Sequence, residues 1–205
     1  MLNNVIDISH HQGEIDFERV RAAGIVGVMH KATEGLTWYD PNYQINRAMA
    51  HDAGLLWGAY HWGHNNDPWK EVEWFLEVAE PNRHTLLALD YEEGSDQMNI
   101  DQARMFVLSV AAQSCPIYGR NQFPGFYSGS LIKSELGDSP PDPILSNCWL
   151  WLPQYADQPT NVPPTWPTWT MWQYTDEGQV DGVDTNVDRN KFNGSDKGLL
   201  RLWGF

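Results

Sequence analysis

The sequence predicts an α/β barrel: eight strands closed in the manner of a TIM barrel, with the later helices reduced. Three observations predict it. In the first half, apolar strand-like runs alternate with helix-like segments, which implies a parallel sheet with helices outside. In the second half, Pro-rich loops and short aromatic strands leave little room for long helices. At the centre, Leu86-Leu87-Ala88-Leu89 runs straight into Asp90-Tyr91-Glu92-Glu93, the pattern of a strand buried on both faces and ending in carboxylates.

In chain order, Val5-Ile6-Asp7-Ile8 reads as the first strand. Asp16 caps a short helix with Phe17 and Val20 on one face, closed by Gly24. Gly27 to Ala32 reads as the second strand, with Thr33-Glu34-Gly35 as a loop. Asp40-Pro41 signals a helix start, and that helix runs to Ala53 and stops at Gly54. Leu55 to His61 is the third strand. Asp67-Pro68 repeats the start signal before Val72, Phe75, Leu76 and Ala79 at helical spacing. Leu86–Glu92 is the fourth strand. Asn99 and Gln102 form a capping box ahead of an apolar face made by Ala103, Phe106, Val107, Val110 and Ala111. Gly125–Ser128, Trp149–Leu152, Thr170–Tyr174 and a segment near Val187 supply the remaining strands, with a short helix near Leu131–Leu136.

At 205 residues, with no linker-like stretch of domain-spacing length, the whole chain 1–205 is expected to be one domain. Its net charge of −14 argues against nucleic acid and against electrostatic attachment to anionic lipid. No apolar run approaches the roughly 20 residues that span a bilayer. The start, Met1-Leu2-Asn3-Asn4, lacks the basic and hydrophobic regions of a secretory leader, so none is expected. Cys115 and Cys148 make no metal motif and are expected as unbridged thiols. A monomer is expected. The 11 Trp and 8 Tyr exceed what a core needs and suit a cleft that stacks on sugar rings.

Side chains alternate along a strand, so Asp90 and Glu92 point the same way, with Cα atoms roughly 6.5–7 Å apart. Two unit charges at that range repel by about 2–3 kcal/mol at an effective dielectric near 20. That repulsion lifts one pKa by up to about two units, enough to hold a proton near neutrality. The bland alternative is a solvated acidic strand end. In parallel barrels, functional groups stand at the C-terminal strand ends. That rule gathers Asp7, Asp90, Glu92 and Asp188 around one mouth, with Tyr60, Trp62, Tyr127, Trp151, Gln154 and Gln173 as candidate sugar contacts. Four acids with no Lys or Arg among them are costly unless a proton, a metal or a cationic transition state offsets them. The last option suits glycosidases. His10, His11, His61 and His64 open a metal reading with Asp7 and Asp90, but no His-x-x-x-His spacing supports it and no metal or cofactor is expected. Glu34 and Glu93 read as solvated or structural.

The segments Asp7-Ile8-Ser9-His10-His11-Gln12-Gly13, Lys31-Ala32-Thr33-Glu34-Gly35, Gly58-Ala59-Tyr60-His61-Trp62, Leu89-Asp90-Tyr91-Glu92, Met171-Trp172-Gln173-Tyr174-Thr175 and Val187-Asp188-Arg189-Asn190-Lys191-Phe192 resemble, in order, glycoside hydrolase family 25, the Chalaropsis-type lysozymes. The resemblance covers about Asn4 to Gly194. It implies a (β/α)5(β)3 barrel that hydrolyses the β-1,4 bond between N-acetylmuramic acid and N-acetylglucosamine in peptidoglycan. By position, Glu92 resembles the general acid, Asp90 its partner carboxylate, and Asp7 and Asp188 the further active-site aspartates. Either Asp90 or the substrate's own 2-acetamido oxygen is the nucleophile, both giving retention. The resemblance implies cell-wall peptidoglycan as partner, reached by endolysin-like release or by another export route. The pattern departs from the family between Ser114 and Pro124 and between Ser139 and Asn147. Two rival readings stay beside it: a non-catalytic glycan-binding module, and a metal-dependent polysaccharide deacetylase.

Overall fold

A computed structural model of the protein describes residues 1–119 and 122–205; Arg120 and Asn121, inside the Ser114–Pro124 stretch that departs from the family pattern, lie outside it. The strands are β1 (Leu2–Ile8), β2 (Gly27–Glu34), β3 (Trp38–Tyr39), β4 (Leu56–Trp62), β5 (Thr85–Asp90), β6 (Gly125–Tyr127), β7 (Trp149–Pro153), β8 (Met171–Gly178) and β9 (Val187–Phe192). The helices are α1 (Phe17–Ala22), α2 (Tyr43–Asp52), α3 (Pro68–Ala79), α4 (Ile100–Gln113), α5 (Cys115–Tyr118), α6 (Ser130–Leu136) and α7 (Asp196–Leu202). All strands except β3 close into one barrel in the order β1-β9-β8-β7-β6-β5-β4-β2, with β2 bonded back to β1. From β1 through β8 neighbours in the barrel run parallel, while β9 runs antiparallel to both β8 and β1. The eight-stranded barrel with reduced helices is therefore the observed fold.

Period-two alternation divides each strand between two apolar layers. Inward residues Val5, Met29, Leu86, Ala88, Tyr127, Trp151, Met171 and Phe192 fill the barrel, and Trp203 and Leu199 of α7 close its base. Trp203 Nε1 donates to the Trp57 carbonyl at 3.0 Å. Outward residues such as Ile6, Val28, Leu87, Leu89 and Phe126 pack under the helices. Large side chains inside a small barrel need small neighbours. A Cβ on Gly58 would meet Met29 Sδ at 2.2 Å, and one on Gly125 would meet the Trp149 ring at 2.2 Å.

Local signals hold where they are self-contained. Asp16 caps α1, Asp67 caps α3 with Pro68 in its first turn, and Asn99 with Gln102 completes the capping box of α4. Asp40-Pro41 is a correction. The helix starts at Tyr43, and Asp40 turns inward to accept from the His10 backbone N–H (2.8 Å), His10 Nδ1 (3.0 Å) and the Asn42 N–H (2.9 Å). Three donors hold that buried carboxylate better than one open helix end. Thr33-Glu34 is also corrected, from loop to the end of β2, because β3 folds back and pairs with it. The fourth predicted strand stops at Asp90, not Glu92. The short α5, β3 and α7 had no sequence reading. Cys115 and Cys148 are unbridged. Among the described residues, no helix is long and apolar enough to cross a membrane.

Candidate active site

The carboxylates converge because of strand order and strand direction. Asp7 ends β1 and Asp90 ends β5. Glu92 follows two residues on, held in place as the Tyr91 N–H donates to the Tyr127 carbonyl at 2.8 Å. Asp188 reaches the same mouth by another route. It lies near the start of β9, and because β9 is antiparallel, that start faces the end of β1 and pairs Asp188 with Asp7. A cavity of about 120 Å³ opens between them, lined by Asp7, Asp90, Glu92 and Asp188 with Tyr60, Trp62, Tyr127, Trp151 and Gln173. Nine of the ten predicted site residues thus meet at one place. Gln154 does not line it. Its amide accepts from Lys133 Nζ (2.6 Å) and the Thr160 N–H (3.1 Å) and donates to Thr160 Oγ1 (3.0 Å), bracing the loop after β7.

Asp7 is the most firmly held. Both its oxygens accept from Gln173 Nε2 at 3.1 Å, and Oδ2 accepts from Asn190 Nδ2 at 2.7 Å. Gln173 Oε1 accepts from the Tyr127 and Tyr155 hydroxyls, and Asn190 Oδ1 accepts from Trp151 Nε1 at 2.7 Å. The Gln173 amide is thereby committed to the protein. Burial, then the charge of Asp188, pushes the Asp7 carboxyl well above the usual carboxylate range, against the pull of Asn190 and Gln173. Asp188 is also raised, by burial and Asp176, while a hydrogen bond from the Asp7 carboxyl pulls it back. The pair favours a shared proton, with the Asp7 carboxyl, the more strongly raised, placed to donate to Asp188.

Asp90 is 5 % exposed, and its Oδ1 has no hydrogen-bond partner. Burial and then the charge of Glu92 raise its pKa well above the ordinary value, and Lys31 lowers it. Glu92 is half-buried and raised by burial, then by Asp188 and Glu93, with Lys31 again opposing. The expected pair of coupled acids is present, but the absence of any cation is corrected: Lys31 sits close enough to act on both. Trp151 stands edge-on to Tyr127 (4.7 Å) and Tyr60 (6.1 Å), forming an aromatic wall. The histidines are occupied elsewhere. His61 faces outward between Thr33 and Glu71 at 2.8 Å each, stacked on Phe106, and His10 belongs to Asp40. Among the described residues, no group of three or more His, Cys, Asp or Glu is placed to hold a metal ion.

The model of glycosyl hydrolases family 25 matches residues 6–183. The chain belongs to that family. It is a glycoside hydrolase of the muramidase class. Lysozyme M1 of Streptomyces globisporus is 31% identical over 96% of this chain and 70% of that protein. The N,O-diacetylmuramidase of Chalaropsis sp is 26% identical over 96% of both chains. The crystal structure of the bacterial lysozyme from Streptomyces coelicolor superposes with a TM-score of 0.86 at 30% identity, covering 100% of this chain and 99% of that one.

The sequence places Tyr155 near the mouth beside Gln154 but gives no role to Asn190 or Lys31, which act on the cavity's residues in this family 25 chain. Asn190 had a readable signal: it shares the inward parity of Asp188 and Phe192 on β9. Lys31 lay inside a motif already singled out, but its pairing with aromatic rings depends on β3, a two-residue strand.

Proposed function

We propose that this hydrolase cleaves the β-1,4 bond between N-acetylmuramic acid and N-acetylglucosamine, with Glu92 as general acid, Asp90 assisting, and retention at the anomeric carbon. Peptidoglycan hydrolysis follows from the family; the bond, the roles and the stereochemistry are the reading advanced here, with residues 1–205 acting as one catalytic domain. The observation that carries it is the state of the β5 end. One carboxyl there is half-buried and raised, which favours its protonated form, and beside it a buried carboxylate oxygen lacks a donor.

A muramic acid residue supplies that donor. Its 2-acetamido N–H meets Asp90 Oδ1, which turns the acetamido oxygen toward the anomeric carbon. Glu92 protonates the departing oxygen as the C–O bond breaks, and the acetamido oxygen closes an oxazolinium ring. The positive charge of that ring favours ionised Asp90, so the pair's one proton belongs to Glu92. Glu92, now a carboxylate, takes a proton from water as the water opens the ring, restoring the original configuration. Asp7 and Asp188 add a further negative charge on the same mouth, which stabilises an oxocarbenium-like transition state.

Two measurements test this. Glu92→Gln is expected to lose activity by about 10²–10⁴-fold, the usual worth of a positioned proton donor. Mass spectrometry of digested walls is expected to show muramic acid at the new reducing ends. Acetylglucosamine at those ends, or a trapped glycosyl–Asp90 adduct, sinks respectively the bond assignment or the substrate-assisted route.

A further inference from the structure

We propose that Lys31, clamped between Trp38 and Trp62 and ion-paired to Glu34, is a positioning residue that sets the working pH window of the hydrolase by fixing one positive charge beside Asp90 and Glu92. The inference rests on the roles given to those two acids above. Lys31 lies on β2 and is 8 % exposed. Its Nζ stands 4.5 Å from the Trp62 ring centroid and 4.9 Å from that of Trp38, and 2.6 Å from Glu34 Oε2. Across the barrel wall Lys31 pairs with Tyr60, and Trp62 in turn pairs with Asp90. Two rings and a carboxylate therefore pin a desolvated ammonium behind the wall that Trp62 gives to the catalytic cavity. A long flexible side chain needs none of this to stay soluble. The clamp removes its freedom and leaves the charge where it acts.

The ionisable groups facing that charge can be named for each element around it. Glu34 lies on β2 itself; Tyr60, His61 and His64 lie on or just after β4; Asp90 and Glu92 lie at and beyond β5. Asp7 lies at the end of the adjacent strand β1, Asp188 on β9 beside it, and His10 and Asp40 lie beyond Trp38. Glu34 is further tied to His64 Nε2 at 3.1 Å. Lys31 lowers both Asp90 and Glu92, and Glu34 raises Asp90. Removing either partner of the Lys31–Glu34 pair therefore moves Asp90 in opposite directions, and Lys31 alone of the two acts on Glu92. A merely structural clamp predicts loss of rate with no such opposition.

The test is the pH dependence of kcat/KM for wild type, Lys31→Met, Lys31→Arg and Glu34→Gln on peptidoglycan. Lys31→Met keeps the apolar stem and is expected to move both limbs up by about one pH unit. Lys31→Arg is expected to keep the wild-type limbs. Glu34→Gln is expected to move the lower limb down, and it carries the test alone should Lys31→Met not fold. Limbs that coincide with wild type in Lys31→Met and Glu34→Gln, or that move the same way in both, overturn the proposal whatever the rates. Full activity in Glu92→Gln would instead overturn the acid assignment, so the two failures are distinguishable.

Discussion

Asp90 is a residue the fold would be more stable without. It is buried, its Oδ1 is unpaired, and a second acid lies beside it. Asp7, Glu92 and Asp188 have raised pKa values as well, burial being the first cause for each. A raised carboxyl binds its proton more tightly folded than unfolded. Its contribution is complete below the unfolded value, near 4, and is lost as pH rises through the folded value. Stability from this quartet therefore falls as pH climbs from about 4 toward neutrality. Asp90→Asn removes one charge at nearly constant shape. It is expected to raise the urea midpoint at pH 7, to flatten the decline of stability with pH, and to lose activity. An unchanged slope would show that Asp90 titrates as it does in the unfolded chain. Asn190 works in the other direction. It links Trp151 to Asp7, and it is fully buried. Asn190→Ala leaves an indole N–H and a carboxylate oxygen short of a partner. A cost of about 1–3 kcal/mol in denaturant unfolding is expected, with a further rise of the Asp7 pKa visible in carboxyl titration.

At the scale of elements, the sequence was legible wherever a signal was local. Buried strands such as Thr85–Asp90 and capped helices such as Ile100–Gln113 announce themselves by apolar runs and by the residues that satisfy free N–H groups. Elements whose identity depends on a distant partner were not legible. Asp40 resembles a helix cap until His10, 30 residues earlier, arrives to take its oxygens. Trp38-Tyr39 is a strand only because the end of β2 lies beside it. Asp188 lies at the mouth, but the rule of C-terminal strand ends does not explain its place; the reversal of β9 does. Helix α7 gave no warning, being 7 residues long with Gly198 inside. Yet it carries Trp203, which is 1 % exposed and plugs the barrel end opposite the site. Trp203→Ala is expected to cost about 3–5 kcal/mol in denaturant unfolding, as large aromatic deletions do. Because the plug is far from the acids, the pH–activity limbs of the folded variant are expected to stay where they are. A shifted limb would mean that the barrel base and the mouth are mechanically coupled.

The whole molecule carries a formal charge of −14, and the cavity at the barrel mouth is itself acidic. Inside the cavity that sign suits the proposed chemistry, because the charge that develops during glycoside cleavage is positive. Outside it the same sign is a handicap. Peptide stems bear carboxylates, so an intact wall and this enzyme repel at long range. Two consequences follow, and they differ in reach. The local field within the cavity acts over a few ångströms through protein, where salt penetrates poorly. The long-range repulsion acts through solvent, where the screening length falls from about 30 Å at 0.01 M salt to about 8 Å at 0.15 M. Raising salt across that range is therefore expected to increase kcat/KM on intact walls several-fold, through encounter. The same change is expected to leave turnover of a short soluble glycan nearly constant, since a small substrate presents little charge to repel. Clearing rates on walls, run beside reducing-end release from the soluble glycan over one salt series, separate the two. A fall in wall clearing with rising salt would show instead that a local cationic surface draws the enzyme to its substrate, against the sign of its total charge.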